Sequence, residues 1–331
     1  MIPFEDLGCT PQHRADFEGV CQELAVQGKA CQLGRVVSLD RGYPLVRTER
    51  DEARAELATS IKKSADSIVA VGDWVALSQP EGHEKAIIEA VLPRANEIAR
   101  VKRVGRERQP RRQVLAANVD TVLICQSLTG QGVDLRLLVR QMAAVAGCDA
   151  TPVFVLTKGD LVGEDETGSW CEQVSRIAPD VQLVVMAAGD GEALSRVRAL
   201  CAPGTTSMLL GESGVGKSSL VNALIGTDSE DVGAVRASDD RGRHTTVARR
   251  MLQVPAGGLI IDAPGLRTLQ ILDMERSLQA AFPDIAELSC GCRFRDCTHT
   301  SEPGCAVRDS VAPERLAAYR YLADSDWKAR S

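Results

Sequence analysis

The sequence predicts a multidomain protein that consists of an N-terminal β-barrel, a central α/β domain and a C-terminal helical module with a metal site. Three observations predict these parts. Short β-type runs separated by Gly, Pro and Asp occupy residues 31–93, apolar strands alternate with helix-like segments over residues 118–262, and cysteines cluster within residues 290–305.

The length of the chain, 331 residues, suits two or three domains. We expect an N-terminal extension at residues 1–30, in which a helix over residues 12–27 is the main signal. We expect the barrel with a basic linker at 31–112, the α/β domain at 113–272 and the helical metal-binding domain at 273–331.

The composition is that of a globular protein with an aliphatic core, since hydrophobic residues make up 44% of the chain and aromatic residues only 3%. No run approaches the roughly 20 apolar residues of a membrane helix. The N-terminus lacks the basic and apolar regions of a signal peptide. Seven of the eleven cysteines are scattered and are expected to be reduced thiols. These features predict a cytoplasmic protein without membrane attachment.

The charge of the chain is unevenly distributed. The net charge of −6 argues against broad affinity for nucleic acid. Residues 94–112, however, hold eight Arg or Lys and only two Glu. Such a run either neutralises phosphates or serves as a solvated linker, and the sequence leaves both interpretations open.

Five β-type runs are expected to form the barrel. Five short strands are typical of the oligonucleotide-binding barrel, the OB-fold, and a small barrel without a ligand is the alternative. The five runs are residues 34–38, 43–47, 67–71, 73–77 and 85–92.

The alternation that follows the barrel is typical of a parallel sheet with crossover helices. After about Leu272 no further strand is expected, and a final helix is predicted over residues 313–328. The predicted strands are residues 121–125, 152–156, 182–186, 207–210 and 259–262, and the predicted helices are 134–147, 166–178, 191–200 and the segment after Lys217.

A phosphate-binding loop is predicted between the strand at 207–210 and the next helix. Its pattern is Gly-x4-Gly-Lys-Ser, in which glycines let backbone N–H groups close around phosphates. Lys217 is expected to bridge the β- and γ-phosphates, and Ser218 to bind Mg²⁺. A chance Gly-Lys-Ser turn is disfavoured by the strand and helix on either side. The residues of the loop are Gly211, Glu212, Ser213, Gly214, Val215, Gly216, Lys217, Ser218 and Ser219.

Two further segments are expected near the γ-phosphate. Asp262 ends a strand and would hold Mg²⁺ through water, while the N–H of Gly265 would sense the γ-phosphate. Between this motif and the phosphate loop lies a polar segment, Arg-Gly-Arg-His-Thr-Thr, at residues 241–246. A threonine there, for which we favour Thr246, would complete the Mg²⁺ coordination when the γ-phosphate is present. An ordinary surface loop is the alternative.

A base-reading motif is predicted at Thr157, Lys158, Gly159 and Asp160, after the strand at 152–156. The Asp160 carboxylate can accept hydrogen bonds from guanine N1 and N2, and adenine lacks these two donors. A backbone N–H at Ala187 or Ala188 would meet the guanine O6. Asn is usual at the first position of this motif. Thr157 has no carboxamide, so the sequence leaves open whether one polar contact is lost and whether the preference for guanine is weaker.

The order of these motifs is reversed relative to ordinary GTPases, which indicates a circular permutation. With Gly-Arg-His-Thr-Thr, Asp-Ala-Pro-Gly and a Cys/His cluster, the chain resembles the ribosome small-subunit-dependent GTPase A family over about residues 34–327. The resemblance implies an OB-fold barrel, a circularly permuted P-loop GTPase domain and a zinc module. It also implies a role in late maturation of the small ribosomal subunit.

The resemblance extends to the pattern C-x4-C-x-H-x5-C, which implies that Cys292, Cys297, His299 and Cys305 bind one zinc ion. Three thiolates and one imidazole make a closed tetrahedral site, as in structural zinc sites. Cys290 is a spare thiol that could compete with Cys292.

The position after Gly265, where many GTPases carry a catalytic glutamine, is Leu266. The resemblance therefore implies a hydrophobic-substituted GTPase in which another group positions water. His244 is the best candidate for the group that positions water, and its alternative role is to contact RNA or to shape the loop. Thr246 and Lys217 are the other two residues expected to take part in catalysis. Slow turnover, raised by the ribosomal subunit, is the expected consequence.

The expected cofactors are GTP or GDP, Mg²⁺ and one structural Zn²⁺. The expected partners of this monomer are the small ribosomal subunit and its RNA, through the barrel, the basic run and Arg293, Arg295 and Arg308. An RNA-binding assembly factor that uses the nucleotide as a structural switch with negligible hydrolysis is the alternative. A P-loop ATPase or small-molecule kinase is disfavoured by Asp160.

Overall fold

The computed structural model describes residues 3–40, 43–62, 69–102, 111–226, 249–255, 257–263 and 266–330. The chain forms two compact units. The first unit comprises Met1–Thr121, Leu194–Leu209 and Lys217–Leu266, and the second comprises Val122–Ala193, Leu210–Gly216 and Arg267–Ser331. The four-part division of the chain expected from the sequence remains a prediction.

The first unit begins with helix α1 (Pro11–Val26), one residue earlier than the sequence predicts. Thr10 caps this helix, because its hydroxyl accepts a hydrogen bond from the His13 N–H while its own N–H donates to the His13 ring. Pro at the first helical turn fits this start, since its missing N–H would have no partner there.

Five strands close into a barrel, which confirms the predicted barrel. Strand β1 pairs antiparallel with β2 and β4, β2 with β3, and β4 with β5, while β3 and β5 pair in parallel. The strands are β1 (Gln32–Asp40), β2 (Tyr43–Arg47), β3 (Glu52–Leu57), β4 (Trp74–Ser78) and β5 (Ala86–Val91), with a short helix α2 (Thr59–Lys62) after β3.

One predicted barrel strand, at residues 67–71, is wrong. In the described part of this run, residues 69–71, Val71 makes a single bridge to Ala116 and no strand forms. Glu52–Leu57 supplies the third strand instead. Its inward residues are Ala53, Ala55 and Leu57, and only Ala55 is fully buried. Because two of these three residues are alanines, the apolar side of this strand gives a weak signal in the sequence.

The barrel core is built from aliphatic side chains, as the composition predicts. The interior cluster consists of Val36, Val46, Ala55, Val69, Val75, Leu77, Ala86 and Ile88.

The basic segment is a hairpin rather than a linker in its described part. Strands β6 (Glu97–Lys102) and β7 (Arg111–Ala117) pair antiparallel. Arg94, at the entry, binds the buried Asp73 at 2.7 Å and Glu97 at 2.7 Å, so its charge is compensated within the protein. Residues 103–110, in the middle of the basic run, lie outside the described residues.

The phosphate-loop strand belongs mainly to the first unit. Helix α5 (Gly191–Leu200) precedes it, and β11 (Thr206–Leu210) pairs in parallel with β13 (Leu259–Asp262). A strand that the sequence analysis missed, β12 (Arg249–Gln253), pairs antiparallel with β13 and with β1. Because Arg249 and Arg250 begin this strand, it does not stand out in the sequence as an apolar run. Helix α6 (Lys217–Ile225) follows the loop.

The second unit contains three strands side by side, in the order β10-β9-β8, with helices between them. Strands β9 and β10 are parallel, which fits the predicted α/β arrangement. The elements are β8 (Thr121–Ser127), α3 (Leu135–Ala146), β9 (Thr151–Thr157), α4 (Glu164–Ile177), β10 (Leu183–Val185), α7 (Met274–Ala281), α8 (Pro283–Ser289) and α9 (Pro313–Arg330). Among the described residues, no helix has both the length and the apolar character needed to cross a membrane.

A buried arginine joins several segments of the first unit. Arg35 is 1% exposed and stacks on Trp74, with its guanidinium carbon 5.3 Å from the ring centroid. Burial lowers the pKa of Arg35 to about 10, so the side chain is charged at neutral pH. Its guanidinium donates to the carbonyl oxygens of Leu7, Gly72 and Asn118 and to the hydroxyl oxygen of Thr206.

We expect Arg35→Met to lower the free energy of unfolding by about 2–4 kcal/mol, because it leaves buried carbonyl oxygens without donors. Urea denaturation measures this change. Arg54→Met, at an exposed position of β3, is the matched control and is expected to change stability by less than about 0.5 kcal/mol. Equal stability of the two variants would contradict a structural role for Arg35.

Candidate functional site

The predicted phosphate loop connects the end of β11 to the start of α6. Three of its residues have positive φ angles, namely Gly211 at 153°, Gly214 at 83° and Gly216 at 97°. These are conformations that L side chains rarely adopt. A Cβ atom on Gly211 would also lie 2.4 Å from the Cys125 carbonyl oxygen. The backbone of this loop therefore depends on its glycines.

Helix α6 begins at Lys217, so Lys217 and Ser218 occupy its first turn. The first backbone N–H groups of a helix have no partner within it and carry its positive dipole end. A loop that leads from a strand into such a helix start is a phosphate-binding arrangement. The sequence prediction of strand, loop and helix agrees with the elements observed.

The predicted base-reading motif forms a tight turn after β9. Lys158 has a left-handed backbone with φ of 61°, and the Gly159 N–H donates to the Met186 carbonyl oxygen at 2.9 Å. A Cβ atom on Gly159 would lie 2.9 Å from the Val185 side chain, which explains the glycine. The turn thus lies directly against the segment that follows β10.

Asp160 is exposed, and one of its carboxylate oxygens is held in place. Its Oδ1 accepts a hydrogen bond from the Ala188 N–H at 3.0 Å. The other oxygen, Oδ2, remains available to a ligand. In the described part of the chain the Ala187 N–H has no acceptor, whereas the Ala188 N–H is occupied. Between the two alanines the geometry therefore favours Ala187 as the donor to a base carbonyl.

Thr157 connects the base-reading turn to the phosphate loop. The side chain is 5% exposed, and its Oγ1 lies 2.5 Å from the Val215 carbonyl oxygen and 3.2 Å from that of Gln126. A hydroxyl has one proton, and the shorter distance indicates that it is donated to Val215. The Thr157 hydroxyl therefore bonds to the phosphate loop. The weaker preference for guanine expected from the missing carboxamide remains a prediction.

We expect Thr157→Val to weaken the binding of both GDP and GTP about 5- to 30-fold. The variant keeps the shape of the side chain but leaves the Val215 carbonyl without its donor, which costs about 1–2 kcal/mol. Titration with a fluorescent guanine nucleotide measures the effect. Thr157→Ser retains the hydroxyl and should bind nearly as the wild type does, and equal affinities of the Val and Ser variants would contradict the contact's importance.

The remaining predicted nucleotide residues are placed only in part. Asp262 ends β13, as predicted, and its strand neighbour across the sheet is Arg250. Leu266 is 6% exposed, and its N–H donates to the Ala263 carbonyl oxygen at 3.1 Å. His244, Thr246 and Gly265 lie outside the described residues.

The four predicted zinc ligands come together in the second unit. Their ligand atoms all lie within 4.8 Å of one another. The Sγ atoms of Cys292 and Cys305 lie 3.7 Å and 3.5 Å from the Nδ1 atom of His299. Tetrahedral zinc, with Zn–S of about 2.3 Å and Zn–N of about 2.0 Å, requires sulfur and nitrogen ligands about 3.5 Å apart. The geometry and the donor set of Cys292, Cys297, His299 and Cys305 therefore fit zinc.

Glu302 organises the loop that carries His299, a role that sequence reasoning missed. Its carboxylate accepts hydrogen bonds from the backbone N–H groups of Thr298, Thr300 and Ser301 at 2.9, 2.9 and 3.1 Å. The Thr298 hydroxyl and these N–H groups hold the pKa of Glu302 well below its usual range. The loop places His299 in a left-handed conformation with φ of 60° and buries its ring. An acidic side chain three residues after a histidine ligand is the signal that could have found it.

The cluster contains Cys292 and not Cys290. Cys290 is exposed, and its Sγ lies 3.7 Å from the Ala286 carbonyl oxygen. Burial opposes ionisation of the Cys305 thiol, but backbone N–H groups, including that of Arg308 at 3.3 Å from the sulfur, lower its pKa. Donation of N–H groups to a ligand sulfur is typical of the surroundings of zinc thiolates.

Comparison with protein families agrees with this geometry. The model of the RsgA GTPase family matches residues 91–272. The Small ribosomal subunit biogenesis GTPase RsgA of Streptomyces coelicolor is 41% identical over 295 residues, which covers 87% of this chain and 79% of that protein. RsgA 2 of Lactiplantibacillus plantarum is 37% identical over 298 residues, with 88% and 82% covered.

Two solved structures share the fold. YjeQ from Thermotoga maritima superposes with a TM-score of 0.69 at 23% identity, over 89% of this chain and 98% of that chain. YloQ, described as a circularly permuted GTPase, superposes with a TM-score of 0.66 at 22% identity, over 91% and 96%. The circularly permuted GTPase fold predicted from the motif order is confirmed.

Proposed function

This chain belongs to the RsgA GTPase family, and from this premise we propose that it hydrolyses GTP on the small ribosomal subunit during late maturation of that subunit. Its relatives in Streptomyces and Lactiplantibacillus carry the name of small ribosomal subunit biogenesis GTPases. The site of action is the cytoplasm, where these subunits are assembled, and the chain acts as a monomer.

The hydrogen bond from the Thr157 hydroxyl to the Val215 carbonyl oxygen is the observation that supports this proposal. It brings the base-reading turn and the phosphate loop, 58 residues apart in the chain, within one hydrogen bond of each other. A ligand with a guanine base at Asp160 then has its phosphates directed to the loop at Gly211–Gly216. Among common nucleotides only guanine offers two adjacent donors to the free carboxylate oxygen of Asp160.

We assign the nucleotide contacts as follows. The Lys158 stem packs on the base, the Ala187 N–H meets the base O6, and the N–H groups of the glycine-rich loop bind the phosphates. Lys217 bridges the β- and γ-phosphates. Mg²⁺ would be held by Ser218, by Thr246 and, through water, by Asp262, and it would neutralise phosphate charge.

The chain supplies no glutamine at the usual catalytic position. Leu266 is buried and apolar, so it cannot orient a water molecule. We propose His244 as the water-positioning group, because an imidazole both accepts and donates hydrogen bonds near neutral pH. Such an enzyme turns over slowly alone, and the ribosomal subunit stimulates it by aligning His244 with the attacking water.

Zinc has a structural role in this proposal. The four ligands form a closed set without a position for substrate, and they connect the short loops between α8 and α9. The module carries the exposed Arg293 and Arg295, and the β6–β7 hairpin belongs to the basic run at residues 94–112. Each of these two parts supplies cationic side chains of the kind that contact with ribosomal RNA requires.

Phosphate release measured with and without purified small subunits tests the function. We expect the subunit to raise hydrolysis of GTP by the wild type at least tenfold and to leave Lys217→Ala inactive. Titration with fluorescent GDP and ADP is the companion measurement, with a strong preference for GDP expected. Equal affinity for the two nucleotides contradicts a GTPase. Tight GDP binding without subunit-stimulated hydrolysis indicates a nucleotide-gated RNA-binding factor instead.

A further inference from the structure

An exposed phenylalanine stands on the zinc loop. Phe294 is 41% exposed, although the other phenylalanines of this chain pack into its interior. Phe4, Phe154 and Phe282 are at most 4% exposed, and Phe17 packs against a core cluster. Phe294 is therefore the phenylalanine of this chain whose ring is exposed to a ligand.

The loop that presents Phe294 is held at both ends. It lies between the zinc ligands Cys292 and Cys297. The Arg293 N–H donates to the Gly304 carbonyl oxygen at 3.1 Å, and the Cys297 N–H donates to the Phe294 carbonyl oxygen at 3.3 Å. Anchoring of this kind reduces the entropy that a contact through the ring would cost.

Arg293 contacts the ring, and Arg295 is the residue that follows Phe294 in the chain. The guanidinium carbon of Arg293 lies 5.5 Å from the ring centroid, in a cation–π arrangement on one face. Arg293 and Arg295 are both exposed, and neither forms an ion pair with any residue within the described ranges. Asp296 is the neighbouring acid, and Arg308 is paired with Asp309 at 3.3 Å. The surface around Phe294 thus combines an aromatic face with uncompensated positive charge.

We propose that Phe294 stacks on an unpaired base of RNA while Arg293 and Arg295 bind the phosphates on either side of that base. This inference rests on the proposed function and names one of its RNA contacts. Aromatic rings flanked by arginines bind single-stranded nucleic acid in this way, and every base has a face that can stack. The ring has no hydrogen-bonding group, so the site discriminates unpaired from paired RNA rather than one base from another.

Four substitutions in the full zinc-loaded chain test the site. Phe294→Ala removes the side chain, and Phe294→Leu keeps its apolar bulk without an aromatic face. Arg293→Gln and Arg295→Gln each remove one charge. The probes are a short fluorescent single-stranded RNA of mixed sequence and a blunt-ended duplex of the same sequence, titrated at several salt concentrations. Zinc content and GDP affinity are measured for every variant as controls of folding.

We expect the Ala and Leu variants to lose about 5-fold or more in affinity for the single strand, which corresponds to the loss of one stacked base. The duplex should bind more weakly than the single strand, and the Ala and Leu variants should bind the duplex with the same affinity as the wild type. Each Gln variant should weaken binding of the single strand and reduce its salt dependence. Zinc content and GDP affinity should equal those of the wild type.

Three outcomes would overturn the site. Unchanged binding of the single strand by Phe294→Ala excludes stacking. Full binding by Phe294→Leu together with loss by Phe294→Ala shows that the apolar bulk of the side chain, and not an aromatic face, contacts the RNA, which excludes stacking. An equal loss for single strand and duplex indicates a general electrostatic effect. Subunit-stimulated GTP hydrolysis by the wild type is read separately, so failure of this site leaves the proposed function standing.

Discussion

Replacement of Asp160 by asparagine is expected to lower the affinity for GDP and GTP about 100- to 1000-fold. Guanine donates two hydrogen bonds to the carboxylate in the proposed complex, and a hydrogen bond to a charged group contributes about 1.5–3 kcal/mol. Asparagine keeps the Oδ1 acceptor for the Ala188 N–H, so the turn itself should remain intact. Its amide replaces Oδ2 with a donor that faces the donors of guanine.

The same variant should gain affinity for xanthine nucleotides, because xanthine carries a carbonyl oxygen where guanine carries an amino group. Competition of GDP and xanthosine diphosphate against a fluorescent nucleotide measures both changes. Asp165→Asn, at an exposed position in the first turn of α4, is the matched control and should leave both affinities unchanged. An Asp160→Asn protein that binds GDP as tightly as the wild type would show that the base is read elsewhere.

Replacement of Cys305 by serine is expected to abolish stoichiometric zinc and to destabilise the segment that includes α8 and α9 by several kcal/mol. Cys305 is buried and lies 3.5 Å from the imidazole of His299, so its loss opens the tetrahedral site. Because the free energy of binding a structural metal is part of the folding free energy, loss of zinc appears as loss of stability.

Metal analysis of the purified protein and thermal unfolding with and without a chelator measure these effects. Cys290→Ser is the matched control, since Cys290 is exposed and lies outside the ligand cluster. It should retain about one zinc ion and the stability of the wild type. Zinc loss in Cys290→Ser with zinc retained in Cys305→Ser would contradict the ligand set.

The regular elements of this fold were predictable where one residue pattern dominates. The apolar strands β8, β9 and β11 are buried over nearly their whole length, and they stand out in the sequence for that reason. Strands β3, β6, β7 and β12 were not found. Two alanines and one leucine line the inner side of β3, and arginines begin β12. Strands β6 and β7 lie in or overlap the basic run. All four strands therefore carry a weaker apolar signal than the buried strands do.

The chemistry of the site could be predicted in the same way. Glycines that need positive φ angles and metal ligands at fixed spacing are local requirements of the backbone and of the metal, and they leave a readable pattern. The role of Glu302 was not predicted, because its hydrogen bonds to the loop around His299 depend on how that loop turns.

The sequence by itself determined the order of the motifs, the identity of the candidate ligands and the permuted arrangement of the chain. Only the tertiary structure decided that the Thr157 hydroxyl bonds to Val215 and that Arg35 bonds to Thr206, 171 residues away. It also decided that the Ala188 N–H donates its hydrogen bond to Asp160 and is not available to a ligand. Periodicity and spacing report on the conformation of neighbouring residues, whereas a hydrogen bond between distant segments exists only after the chain has folded and brought its donor and acceptor together.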